Sequence, residues 1–262
     1  DKTRQLANYR VMGISESLQG KAILVTGGAR RVGAEIVRTL HAAGANVGIH
    51  YRRSQRDAVT LAKLLNGQRR DSAHVLHADL DDVDALAPMV EDLVQRFGRL
   101  DGLVNNASTF FATAMGRISG RDWDALVGSN FKAPLFLAQA AAPYLKVTRG
   151  AVVNVSDIHG SRPLAGFAVY CAAKAGLDGL TKALAIELAP EVRVNAVAPG
   201  PVEWPEDGTF DTQTRQEIIN HTLLKRTGCS ADIARSVLFL LAGAPYVTGQ
   251  ILAVDGGRSA HL

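Results

Sequence analysis

"VTGGARRVG", residues 25–33, is a glycine-rich turn set between a β-branched run, "KAILVT" (21–26), and a stretch with helical apolar spacing, "AEIVRTLHAAG" (34–44). A strand feeding a helix through such a turn makes an anion site. Gly27 allows the tight bend, Gly33 lets the helix pack close to the strand, and the free N–H groups of the helix start face a phosphate. With Arg30 and Val32 these residues are the expected pyrophosphate cradle. Where a middle glycine would be expected stands Arg31, whose guanidinium can pair with a phosphate or reach across it to a substrate carbonyl.

The same alternation continues along the chain. "ANVGIHY" (45–51), "AHVLHAD" (73–79), "LDGLVNN" (100–106), "GAVVNVS" (150–156), "VRVNAVA" (192–198) and "ILAVDG" (251–256) read as six further strands, separated by amphipathic stretches such as "DALAPMVEDLVQRFG". Seven apolar strands alternating with helices predict an α/β fold, a doubly wound Rossmann domain with a seven-stranded parallel sheet. The domain is expected to span 21–262, after an extension over residues 1–20. One segment, 199–228, is rich in Pro, Asp and Gly before a weak helix and follows a strand end, where open α/β sheets bind ligands. It is expected to be a substrate loop.

Bulk composition narrows the classes. At 262 residues, with 47% apolar and 21% charged residues, the chain can bury a sizeable core. No apolar run is long enough to span a membrane, and the first 20 residues do not read as a secretory signal. Two cysteines, Cys171 and Cys229, lack disulfide-framework or metal-ligand spacing, so a cytoplasmic setting and no metal are expected. The net charge of +4 is scattered except at "ARR" (29–31) and "YRRS" (51–54), which fits a small phosphorylated ligand better than a nucleic acid.

The second of those clusters bears on the cofactor. About twenty residues after the turn an NAD site presents an acid to the ribose hydroxyls. Here the strand ends in His50, Tyr51, Arg52, Arg53 and Ser54, with no acid, so NADPH/NADP+ is expected over NAD(H). After the third strand, Asp79 and Leu80 lie where an adenine can be held; Asp79 can equally be an N-cap for the next helix.

Further on, "NVSDIHGSRPLAGFAVYCAAK" (154–174) ends in Tyr170 and Lys174, i and i+4 on one helix face. An ammonium beside a phenol favours its ionised form and so suits proton transfer. Joined in order to the glycine turn, "NNA" (105–107), Asn130 and "APG" (198–200), this pair resembles the short-chain dehydrogenase/reductase family over almost the whole chain from about residue 20. The resemblance implies Tyr170 as proton donor, with Lys174 lowering its pKa and holding the nicotinamide ribose. It also implies that Asn130 supports a proton-relay water, that Asn106 and Ala107 line the cofactor site, and that Pro199 and Gly200 border the nicotinamide. A homotetramer with the Asn130 and Tyr170 helices at its contacts is implied too.

The usual family serine, thirteen residues before the tyrosine, is here Asp157, and Ser156 stands one residue too early on the other strand face. Arg31, "HYRRS" (50–54), "NNASTF" (105–110) and Asp157 together resemble the pteridine reductases within the family, in the neighbourhood of dihydromonapterin and dihydrofolate reductases. That implies reduction of a pterin ring C=N through an Asp157, Tyr170 and Lys174 relay. Phe110 would stack on the ring, Ser108 would bond its amino edge, Arg31 its oxo group, and Trp204 would close over it. Phe110 as loop core and Trp204 as surface packing are the plain alternatives. The rival activities are a 3-oxoacyl or other carbonyl reductase and a non-catalytic NADP(H)-sensing protein.

Overall fold

The structure, a computed structural model, describes residues 17–204 and 210–260. Residues 1–16 of the expected extension and 205–209 of the expected loop lie outside the described residues. The seven expected strands form: β1 (Ala22–Val25), β2 (Asn46–Tyr51), β3 (Ala73–His77), β4 (Gly102–Asn105), β5 (Ala151–Val155), β6 (Arg193–Pro199) and β7 (Ile251–Val254). All pairs are parallel, in the order β3-β2-β1-β4-β5-β6-β7. The sequence order reverses direction between β1 and β4, which opens a crevice beyond their carboxyl ends.

Strand alternation divides the core into two layers. Ile23 and Val25 pack with Ile36, Val37 and Leu40 of α1 (Arg31–Ala42), with α2 (Gln55–Gln68), and with Ile233 and Val237 of α8 (Ser230–Leu238). Leu24 and Leu103 face the opposite layer, built by α3 (Leu86–Phe97) and by Leu137 and Leu145 of α5 (Ala133–Thr148). Each aliphatic side chain so buried contributes roughly 1.5–3 kcal/mol. Leu18 is buried in the first layer and its N–H donates to the Ala43 carbonyl, so the domain begins before residue 21.

A third, smaller cluster sits over the crevice. Leu126 of α4 (Gly120–Val127) packs with Phe167 and with Val169, Tyr170 and Cys171 of α6 (Ala168–Glu187), and Phe110 and Leu164 lean on it. Between α4 and α5 the chain makes a π turn, Gly128–Lys132, which periodicity did not foresee. Such turns pair each N–H with the carbonyl five residues back. The side chain of Asn130 then takes the Leu126 carbonyl, at 2.9 Å. In the expected substrate loop the weak helix forms as α7 (Thr212–Asn220).

Candidate active site

A cavity of about 510 Å³ opens at the carboxyl ends of the strands. At one end lies the glycine turn, with Gly27, Arg30, Arg31, Val32 and Gly33 on its wall. Gly27 adopts a left-handed φ of 61°, and Arg31, at the position expected of a glycine, does so too, at 51°. That conformation costs a residue with a Cβ about 1–2 kcal/mol. Gly33 cannot be larger, because a Cβ there would lie 2.1 Å from the Gly27 carbonyl oxygen. The helix start is thereby held against the turn with its N–H groups toward the cavity, a cradle that fits a pyrophosphate.

Arg31 is not open to a phosphate. Its Nε donates to the Glu203 carboxylate at 3.0 Å, and its Nη2 donates to the carbonyls of Glu203 and Trp204 at 3.3 and 3.1 Å. Ser230 Oγ donates to the other Glu203 oxygen. The turn after β1 is thus tied to the chain after β6.

The adenine end departs from expectation in three places. His50 lines the cavity but is buried, with Nδ1 accepting from the Gly27 N–H at 3.0 Å and Nε2 bonded to the Ala78 carbonyl at 3.2 Å. Burial lowers its pKa to about 4, so it is a neutral brace between strand ends and not a cation for a 2′-phosphate. Arg52 pairs with both Asp79 and Asp81, each at 3.6 Å. Asp79 accepts from the Asp81 N–H and is no helix cap; that task falls to Asp82. Tyr51, Arg53 and Ser54 are not on the cavity wall: Tyr51 packs on His77 at 5.1 Å, while Arg53 is exposed and Ser54 makes no capping bond. Leu80 lines the wall as expected.

Asn106, Ala107, Ser108, Lys174, Pro199 and Gly200 also line the cavity. Asn106 Nδ2 donates to the carbonyls of Thr26 and Gly27, so the loop after β4 clasps the glycine turn. Ser108 Oγ donates to Asn130 Oδ1 at 2.7 Å. Asn130 Nδ2 bonds the Thr109 and Leu126 carbonyls, so the side chain is fully engaged and meets the site only through the 108–110 loop.

The centre of the site is local to β5 and α6. Tyr170 Oη donates to Asp157 Oδ2 at 2.7 Å, and Asp157 Oδ1 accepts from the His159 N–H at 2.8 Å, capping the turn Ile158–Gly160. Both carboxylate oxygens are therefore placed. Lys174, wholly buried, donates to the Val155 carbonyl at 2.9 Å and lies 5.7 Å from the centre of the Tyr170 ring. The expected lowering of the Tyr170 pKa is corrected. Burial, then the Asp157 charge, push it well above its ordinary value, with a Ser108 hydrogen bond opposing them. Lys174 itself is drawn down to about 8 by burial, against the pull of Asp157 and Asp178.

Aromatic rings roof this centre. Phe110 stacks on Phe167 at 4.6 Å and 11°, meets Tyr170 edge-on at 4.8 Å, and lies 6.4 Å from Phe210, which in turn is 5.7 Å from Trp204. Phe110 thus belongs to the loop core and to the cavity wall at once. Sequence reading passed over Phe210, Glu203 and Asp178. The i+4 spacing of Asp178 from Lys174 was the available signal; Glu203 and Phe210 carried none.

A family model described as enoyl-(acyl carrier protein) reductase matches residues 27–259. The chain belongs to the short-chain dehydrogenase/reductase family. It is an oxidoreductase of that family, 37% identical to pteridine reductase 1 of Leishmania tarentolae, with 90% of this chain and 95% of that protein covered. It is 35% identical to the 3-oxoacyl-(acyl-carrier-protein) reductase FabG of Staphylococcus aureus, covering 90% and 97%. A solved structure, that of a blue fluorescent protein from a metagenomic library in complex with NADPH, superposes with a TM-score of 0.87 at 34% identity, covering 92% of this chain and 99% of that one. Among the described residues no group of His, Cys, Asp and Glu could hold a metal, and no helix is long and apolar enough to cross a membrane.

Proposed function

We propose that this oxidoreductase is an NADPH-dependent pteridine reductase. The observation that carries this reading is the 2.7 Å hydrogen bond from Tyr170 to Asp157 inside an aromatic cavity. Reducing a pterin C=N places hydride on a ring carbon and needs a proton on the adjacent nitrogen. A carboxyl group can deliver that proton at close range, and flat aromatic walls suit a bicyclic ring.

The glycine turn and Lys174 would hold NADPH, which when bound would supply the hydride. The chain's own residues handle the proton. Tyr170, kept protonated by burial and the Asp157 charge, gives its phenolic proton to the Asp157 carboxylate, which hands it on to the ring nitrogen and is left ionised again. Lys174, positive below about pH 8, stabilises the tyrosinate left behind. Phe110, Phe210 and Trp204 exclude water and hold the ring flat. Ser108 and Arg31 flank the ring's polar edge, and Asn130 positions Ser108.

FabG's similarity makes a thioester carbonyl reductase the competing reading. Against it, Ser156, the nearest hydroxyl in sequence, donates to Asp178 at 2.5 Å and is not available to a substrate carbonyl. Steady-state rates with dihydrobiopterin, dihydromonapterin, dihydrofolate and an acetoacetyl thioester test the choice. Pterin kcat/KM above that for the thioester is expected; the reverse order overturns the reading.

With Arg52 held by Asp79 and Asp81, we assign selection of NADPH over NADH to Arg53 and Ser54, which stand next to Arg52 just outside the cavity wall. Arg53→Asp is expected to reverse the cofactor preference by about tenfold or more, since charged hydrogen bonds contribute roughly 1.5–3 kcal/mol. Equal use of both cofactors by the unaltered protein would sink that assignment. A homotetramer goes with the reading: Trp123 on α4 and Ile186 on α6 are exposed apolar residues, 51% and 79% accessible, that a second copy would cover.

A further inference from the structure

Three residues one turn apart on α6 grip three consecutive residues at the end of β5. Tyr170 donates to Asp157, Lys174 donates to the Val155 carbonyl, and Asp178 accepts from Ser156 Oγ at 2.5 Å. The i, i+4, i+8 spacing puts all three on one helix face. The reaction described above uses the first two grips and leaves the third unexplained. Ser156 is buried, and its N–H is taken by the Val197 carbonyl, so its hydroxyl is aimed at the helix. The second Asp178 oxygen lies against Gly160, where a Cβ would come within 2.9 Å of it. The carboxylate therefore fills the seam between α6 and the turn that Asp157 caps.

We propose that Asp178 is a positioning residue for the reduction, holding the end of β5 in register with α6 and supplying the second negative charge that keeps buried Lys174 positive. The proposal rests on the reading of Asp157, Tyr170 and Lys174 as the proton-transfer group, and is independent of which substrate is reduced. The charged groups acting on Lys174 are Asp157 from the strand end and Asp178 from its own helix. Those acting on Asp178 are Lys174 and Lys182 of the same helix and Asp157. Burial draws Lys174 down to about 8 while both carboxylates raise it. Its charge is therefore full well below pH 8 and is lost as pH rises through that value. Without Asp178 the loss comes at lower pH.

Asp178→Asn keeps an acceptor for Ser156 and removes the charge; Asp178→Ser removes the charge by another route; Asp178→Glu restores it. For each variant, NADPH binding is titrated by fluorescence from pH 6 to 9, and kcat/KM is followed over the same range. Both charge-removing variants are expected to bind NADPH as the unaltered protein does near pH 6 and about fivefold more weakly near pH 8, and their alkaline limb moves down by about one pH unit. Asp178→Glu is expected to return the limb toward its original place. A limb and a binding profile that coincide with the unaltered protein's overturn the proposal, as does an equal loss at every pH, which marks a merely structural role. If no pterin is turned over at all, the substrate reading fails while the NADPH titration still decides on Asp178.

Discussion

Asp157→Ser is expected to lower kcat/KM for a dihydropterin by about 100-fold to 10,000-fold, the range of a positioned acid–base group, with NADPH binding changed by less than about threefold. The two Asp157 oxygens do different work. Oδ1 caps the turn after β5 and Oδ2 accepts from Tyr170. A serine hydroxyl can still cap the turn, so the backbone stays in place and the loss falls on chemistry. The relay then lacks a carboxyl between phenol and ring nitrogen. The substitution also removes the negative charge that helps hold Tyr170 well above its ordinary pKa, so whatever activity remains should show a Tyr170 that ionises at lower pH. Parallel rates and NADPH titrations check this. Unchanged pterin reduction would show that the carboxylate takes no part.

Gly33→Ala is the second large effect. The added methyl would lie 2.1 Å from the Gly27 carbonyl oxygen, 2.6 Å from Asn106 Nδ2 and 2.9 Å from the Gly27 carbonyl carbon. None of these can swing away: the Gly27 N–H is bound by His50 and its carbonyl by Asn106. Helix α1 must instead withdraw from the turn. A loss of about 1–3 kcal/mol is expected, as for overpacking elsewhere. NADPH binding should weaken by at least about tenfold, because the helix start leaves the pyrophosphate. Gly67→Ala is the control: nothing lies within 4 Å of a Cβ there, and replacing a helical glycine gains roughly 0.5–1 kcal/mol. Thermal melts and cofactor titrations separate the two, and undiminished NADPH affinity in Gly33→Ala would refute the cradle.

The architecture was legible because each β-branched run seeks burial in a parallel sheet, and all seven runs join it, although the edge strand β7 leaves Leu252 and Ala253 exposed. The Tyr170 and Lys174 face was legible for a similar reason, since helical spacing alone brings it together. What escaped were the partners of charged and polar groups. His50 and Arg52 were assigned to an anionic ligand from their type, and Arg31 to a phosphate or a substrate oxo group, yet His50 is buried and neutral, Arg31 has found Glu203, and Arg52 has found Asp79 and Asp81. Such pairings depend on which strand ends meet in space, and residue type carries no record of that. The π turn escaped because a single extra residue leaves the apolar rhythm of α4 and α5 almost untouched.

The tie between Arg31 and Glu203 spans 172 residues of chain, whereas Asp157 and Tyr170 are 13 apart. Closing the longer loop costs roughly 2 kcal/mol more in chain entropy. The proton-handling half of the site is therefore a short-range unit of one strand and one helix, able to take shape from its own neighbourhood. The cofactor wall is a long-range closure, complete only when the chain after β6 has met the turn after β1, and contacts of that kind are the ones that slow the folding of a chain.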